Sequence, residues 1–403
     1  MNSEANKPTE PSVAGLPRRS FLGRVTREVL GDWGALLGLA WVALLVFLAV
    51  FAPLLANSHP FVWKHEGDVS SPLLEYLTPV DVTLIVAFFA ALALWFARRL
   101  SPRRRVLIWI GIVGVTLVAS FVFVRPPETD VLSHYREQRA AGNVEWSVLA
   151  PIPYSPNDRQ RDVLAATGDD PRLLPPTAKH WMGTTSQGAD VASRMIHASR
   201  IALTIGLIAT GIAASIGIVV GGVMGYFSGR VDLLGMRLVE IFSAIPVIFL
   251  LIMIVAFYGR SLYLMTVILG LTGWVGYALY IRAEFLKIRR MDYVQAARAA
   301  GLPLRSILFR HMLPNGITPV LVLASFGIAS MILTESTLSF LGLGLVDDPS
   351  WGQMLNEARI GADQWGLVVF PGLAIFLTVF AYNLIGEALR DAIDPHAQRA
   401  SQM

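Results

Sequence analysis

Few residues in this sequence are arranged for covalent chemistry. None of its 403 residues is cysteine, so it has no thiol nucleophile, disulfide or cysteine-ligated metal. The seven histidines form no H-E-x-x-H pair, and neither a G-x-S-x-G turn nor a G-x-x-x-x-G-K-[ST] phosphate loop occurs. Gly183-Thr-Thr-Ser186-Gln-Gly188 resembles a nucleophile turn only superficially. The chain is read as carrying no catalytic residue, metal site or cofactor, and any use of ATP would need a separate ATPase. Polar groups inside apolar runs are the next suspects, because a carboxylate in hydrocarbon is costly. Glu335, beside Ser336, is such a group. It reads either as a gate or pathway residue or as a hydrogen-bonding centre for the polar cluster Thr334–Ser339. Pro246 lies in another apolar run, where a kink could serve a gate or be a static bend.

A second set of residues points to protein contact. The stretch Asp292-Tyr-Val-Gln-Ala-Ala-Arg-Ala-Ala-Gly-Leu-Pro303 is followed by Ile307-Leu-Phe-Arg-His-Met-Leu-Pro-Asn315. Tyr293–Ala300 reads as a short helix with small residues at 296, 297, 299 and 300. Gly301 suits the left-handed position that ends a helix, and Pro303 stops its continuation. Small side chains on an exposed helix let another protein approach the backbone, and Arg298, Arg305 and Arg310 would rim that contact. Pro314 and Pro319 mark the entry to the next apolar run.

The elements that must position these residues are membrane spans. The chain is 54% hydrophobic and only 15% charged, against roughly 25% charged in an ordinary soluble domain. Its net charge of +4 gives no reason to expect nucleic acid. Eight runs approach the roughly 20 apolar residues needed to cross a bilayer: Gly34–Ala56, Val80–Ala97, Val106–Val124, Ile201–Phe227, Leu238–Tyr258, Leu262–Ile281, Ile317–Phe340 and Trp365–Leu389. Arginines 98, 99, 103, 104 and 105 crowd one loop, and residues 282–311 hold seven basic side chains against Glu284 and Asp292. The positive-inside rule puts both loops, and both termini, in the cytoplasm. Residues 125–200 then fall outside, with nine basic and nine acidic side chains and eight prolines. They read as extended and only partly ordered, with Asp190–Arg200 either a helix on the membrane surface or a polar run-in to the next span. Gly217, Gly221 and Gly225 have the four-residue period of close helix packing in lipid. Trp33, Trp181, Tyr226, Tyr258 and Trp365 read as interfacial anchors, and Glu240 beside Arg237 as an interfacial charge.

With these residues in view, the sequence resembles the permease subunits of ABC importers of the type I, MetI-like fold. Their cytoplasmic loop reads E-A-A, three residues, G, nine residues, I-x-L-P. Here it is Gln295-Ala296-Ala297, then Gly301, then Leu313-Pro314, with Gln in the place of Glu as the peptide-transporter branch allows. Three further segments resemble the dipeptide/oligopeptide C subunits: His180–Arg194 with Ser199–Leu203, Leu333–Gly344 with Pro349–Gly352, and Gly386–Pro395. Thr185, Ala189 and Ala198 depart from that pattern. The resemblance covers roughly 180–396 and offers no counterpart for the apolar pair at 80–124.

The resemblance implies an all-α, polytopic membrane protein of about eight transmembrane helices with a type I permease core at 201–390. Before the core lie a cytoplasmic tail (1–33), a first span (34–56), an additional hairpin (80–124) and an extracytoplasmic segment (125–200). A cytoplasmic tail (391–403) follows it. The implied function is an inner-membrane permease for oligopeptides or dipeptides. Implied partners are a second, B-type permease, two cytoplasmic ATPase subunits, an extracytoplasmic solute-binding protein and membrane lipid. By the same resemblance Tyr293, Gln295, Ala296, Ala297, Ala300, Gly301 and Pro314 form the ATPase-coupling element. A self-sufficient secondary transporter and a non-transporting membrane sensor are the alternatives, the former expected to show midplane charge pairs and inverted repeats.

Overall fold

The computed structural model describes residues 21–97, 99–127, 131–345, 348–359 and 364–393. Lys7, Arg18, Arg19, Arg98, Asp347, Asp363 and the tail after Ile393 lie outside the described residues. The main helices are α1 (Phe21–Val29), α2 (Trp33–Leu55), α3 (Pro79–Phe96), α4 (Pro102–Phe123), α5 (Val191–Phe227), α6 (Gly229–Ala244) and α7 (Val247–Tyr258). They continue as α8 (Leu262–Thr272), α9 (Trp274–Ile288), α10 (Asp292–Ala299), α11 (Thr318–Phe340), α12 (Trp351–Ala358) and α13 (Gly366–Ile393). Among the described residues seven helices, counting α8–α9 as one, are long and apolar enough to cross a membrane, or eight if the bent α6–α7 pair is one span.

Two spans differ from the sequence reading. Asp190–Arg200 is neither a surface helix nor a loose run-in: it forms the first three turns of α5, with Val191, Ser193, Ala198 and Ser199 buried. At 1.5 Å per residue α5 is about 55 Å long and outruns a hydrocarbon layer of about 30 Å. Its surplus end is held in protein, which is possible because its arginines are paired. Arg194 meets Glu357 at 3.3 Å, and Arg200 meets Asp81 at 2.6 Å. The run Leu238–Tyr258 is likewise not one rod. It breaks at Ile245–Pro246, where α6 and α7 meet at 70°. Pro246 is the residue before α7, and its ring leaves no N–H to continue α6. α7 alone, about 18 Å long, is too short to cross, so a crossing here takes in the end of α6 as well.

Residues 57–78, 125–127 and 131–190 form a folded unit, which corrects the reading of an extended segment. Strands β1 (Val62–His65) and β2 (Asp68–Ser70) make a hairpin whose turn residues Glu66 and Gly67 both have positive φ. β3 (Trp146–Val148) adds antiparallel to the other edge of β1, giving the order β2-β1-β3. The prolines and balanced charges that read as loose are used in tertiary contacts. Arg136 forks onto Asp162 (2.6 Å) and Asp158 (2.9 Å), and the Ser58 hydroxyl donates to Asp158 at 2.7 Å. Burial opposes ionisation of Asp162, but the Arg136 hydrogen bonds outweigh it and hold that carboxyl below the usual range. His59 stacks on Tyr76 with ring centres 3.9 Å apart. Because β1 precedes α3 and β3 follows α4, the hairpin α3–α4 is an excursion out of this unit and back into it.

The bundle is organised around α5, against which α2, α8, α9 and α11 pack. The glycine stripe makes the α5–α9 contact. A Cβ on Gly221 would run into the carbonyl of Ala278, and one on Gly225 would lie 2.6 Å from the Cβ of Phe285. α13 lies across α2 and α11, and α1 folds back on the end of α13 through Val25, Val29, Ala388 and Ala392.

Candidate functional site

Helix α10 sits at the end of the bundle opposite the β-unit, immediately after α9. Its termination follows from its sequence. Gly301 has φ +70°, its N–H donates to Arg298 O (2.9 Å), and Leu302 N–H donates to Ala297 O (3.2 Å). That is the Schellman pair of bonds, which needs a left-handed residue that glycine adopts without strain. Pro303 then turns the chain into a short helix (Leu304–Ser306) and a π-helical turn (Ile307–Met312). Such turns insert a wide, strained ring and recur at functional sites. Pro314 occupies the first turn of the short helix Leu313–Gly316, and Pro319 the first turn of α11.

The two faces of α10 differ. Tyr293, Gln295, Ala296, Arg298, Ala299 and Ala300 are exposed. Val294 and Ala297 are buried in a cluster with Phe285, Ile288, Ile307 and Met312. Ala297 thus belongs to the core, unlike Ala296, Arg298, Ala299 and Ala300 beside it. Polar ties lock the helix to its support. Gln295 Nε2 donates to Arg289 O (2.9 Å), and Arg289 Nη1 donates to Tyr226 O (3.0 Å). The Arg298 guanidinium lies over the Tyr226 ring at 4.7 Å. Tyr226 is therefore buried under the α10 loop, whereas Trp33, Trp181, Tyr258 and Trp365 are exposed. Only the last four have the exposure an interfacial anchor needs. Asn315 Nδ2 donates to the Tyr293 hydroxyl at 3.3 Å and joins the start of α10 to the entry of α11. These bonds and packed side chains thus join α10 to α5, α9 and α11.

Near the other end of α11, Glu335 is fully buried. It accepts hydrogen bonds from Ser339 (2.7 Å), Ser336 (3.3 Å) and Ser350. Ser350 caps α12 by accepting from Gln353 N–H at 3.1 Å, so Glu335 ties α11 to the start of α12. Gly352 makes that approach possible, since a Cβ there would meet the Ser336 carbonyl. Ser336 also borders a cleft of about 300 Å³ between α11, α12 and α13, with Leu333, Leu355 and Ile375. Thr334 and Thr337 donate to carbonyls of their own helix. Arg237 and Glu240 form an exposed pair at 2.5 Å on α6.

Residues the sequence did not single out join the helices. Asp81 and Arg200 connect α3 to α5, and Arg200 Nε donates to Ala49 O of α2 at 2.9 Å. Arg194 donates to Gln353 and Glu357 of α12. Burial drives the Glu357 carboxyl above its usual range, against the pull of Arg194. The signal available was only that each is a charge at the margin of an apolar run. Among the described residues, no group of three or more His, Asp or Glu is placed to hold a metal ion.

A bundle of seven or eight helices long and apolar enough to span, with a short helix-and-turn loop packed into one end, makes this a polytopic membrane fold. The chain belongs to the family of binding-protein-dependent transport system inner membrane components, whose model matches residues 217–399. It is 31% identical over 360 residues to the inner membrane ABC transporter permease protein YejE of Escherichia coli K12, covering 88% of this chain and 92% of that one. Two shorter matches are the oligopeptide transport system permease protein OppC of Haemophilus influenzae (37% over 219 residues, 54% and 70% covered) and the dipeptide transport system permease protein DppC of Bacillus subtilis (38% over 229 residues, 56% and 72%). The family resemblance drawn from 180–396 thus holds. The chain is an ABC transporter permease with several apolar spans, a component of a transport system.

Proposed function

We propose that the chain is one permease half of an ATP-driven importer for oligopeptides or dipeptides, with α10 as the docking element for a cytoplasmic ATPase. The observation that carries this is the two-faced α10: small residues outward, Val294 and Ala297 locked into the core. A docked subunit would reach the α10 backbone between small side chains, and its movement would pass through Tyr226 and Asn315 into α5 and α11. Such coupling works only if the ATPase holds α10 differently in its two states, because a contact equal in both shifts nothing. Pro246 would serve as a hinge, and Glu335 with Ser336 as the tie that carries movement of α11 to α12.

In this reading the α10 loop and both termini are cytoplasmic, while the β-unit faces a solute-binding protein that delivers substrate. A second, B-type permease completes the pathway. The broken helix α6–α7 supports that partner: Leu234, Ile241, Phe249, Met253 and Phe257 are exposed, and Val239 and Leu251 are its two buried residues. The oligopeptide and dipeptide permeases among its relatives support a peptide substrate. The test is affinity purification of the tagged chain from its native membrane, repeated with Ala296→Glu. Recovery of a second permease and an ATPase, with the ATPase lost in the variant, supports the reading. Recovery of the chain alone contradicts it.

A further inference from the structure

The hairpin α3–α4 belongs to neither the core nor the α10 site. It touches the core at one end, through Asp81–Arg200 and the contacts of Phe51 with Phe88 and Phe89, at centroid distances of 5.1 and 6.0 Å. A cleft of about 1070 Å³ separates the start of α3 from α5 and the α7–α8 turn. Elsewhere α3 and α4 pack on each other, with Trp109 Nε1 donating to Ala87 O at 2.9 Å. Their outward faces are bare: Leu92, Leu107, Val115, Val118 and Phe121 are exposed.

At the tip, Arg99, Arg103, Arg104 and Arg105 crowd one turn, and the sequence has no acidic residue between Asp81 and Glu128. Arg105 Nε is spent on the Leu100 carbonyl, and among the described residues no carboxylate is paired with the other three. Beside them Trp95 is 75% exposed and Phe96 71%. We propose that this tip is a binding site for anionic phospholipid headgroups, with the bare hairpin faces seated among the acyl chains. Guanidinium forks bind phosphate oxygens two at a time, and an indole fits the depth where headgroup meets chain. A protein partner is disfavoured because the bare faces are apolar all round, without a polar rim. Each basic residue at an anionic surface adds roughly fivefold in affinity, so four make a selective site.

The test is photo-crosslinking of the full chain in vesicles of equal phosphatidylglycerol and phosphatidylcholine. The photoreactive residue benzoylphenylalanine replaces Trp95 at the tip or, as control, Phe123 at the hairpin's other end. Phosphatidylglycerol adducts should exceed phosphatidylcholine adducts severalfold at position 95, and the two should be equal at 123. Replacing the four arginines by Gln should abolish the excess. Salt titration of the arginine-intact protein should reduce it progressively, and needs no variant to fold. Equal adducts at both positions, an excess indifferent to salt, or adducts to protein instead of lipid would overturn the proposal.

Discussion

Arg200 of α5 reaches Asp81 of α3 at 2.6 Å and the Ala49 carbonyl of α2 at 2.9 Å, so one guanidinium joins three helices. Asp81 is itself fixed by a reciprocal cap, accepting from Thr78 N–H at 2.8 Å while Thr78 Oγ1 accepts from its N–H at 3.2 Å. Removing one partner leaves the other charge buried and uncompensated, which costs more than removing both. Arg200→Leu and Asp81→Leu should each lower the melting temperature in a fixed detergent, and the double variant should recover part of the loss. A double variant worse than the sum of the singles would contradict the pairing.

Position along α10 decides what a carboxylate does there. Ala297→Asp places an unpaired charge among Val294, Ile307 and Met312 and should destabilise by on the order of 3 kcal/mol, visible as poor yield. Ala296→Asp, one residue earlier on the exposed face, should leave stability unchanged and weaken ATPase association. Gly301→Ala should cost about 1 kcal/mol, because φ is +70° although no atom lies near the added Cβ. Thermal melts of the three variants check this order. Equal melts for 296 and 297 would show that α10 is not two-faced.

The α5–α9 contact leaves no room at Gly221. Gly221→Ala should cost roughly 1–3 kcal/mol by overpacking against Ala278, whereas Gly211→Ala, where nothing lies within 4 Å, should be neutral or stabilise by up to about 1 kcal/mol. Comparing the two melts isolates packing from helix propensity, since both replace a helical glycine.

These cases show what the sequence made legible. The end of α10 could be read because glycine and proline act within a few residues, and the stripe at 217, 221 and 225 because helix periodicity is local. What could not be read depends on partners far away along the chain. Arg200 and Asp81 are 119 residues apart, and Arg194 and Glu357 are 163 apart. Without them α5 seemed to begin at Ile201, since unpaired arginines would not enter a span. The β-unit was hidden for the same reason: β1 and β3 lie on either side of a complete membrane hairpin.

The β-unit should respond to acid in a defined direction. Asp162 has a carboxyl pKa below its ordinary value in the folded state, despite burial, because Arg136 favours its charge. Stability from this pair is therefore fully present above the unfolded value of about 3.9 and is lost as pH falls through the lower folded value. Protection factors for amide exchange in 57–79 and 131–190, which remove the intrinsic pH dependence of exchange, should be flat from neutral pH to about 4 and should fall below it. Arg136→Leu should remove the pair's contribution and raise exchange already at neutral pH. A wild-type unit that loosens between pH 7 and 5 would contradict the assignment.

The most direct measurement uses the absence of cysteine, which makes any introduced thiol unique. Ala296→Cys on α10 and Trp181→Cys on the exposed surface of the opposite end would each be treated with a bifunctional thiol crosslinker in native membranes. The account predicts an adduct of the mass of an ATPase subunit from position 296 and none from 181, with a yield that changes when ATP is added. No such adduct from 296, or the same adduct from both positions, would contradict it.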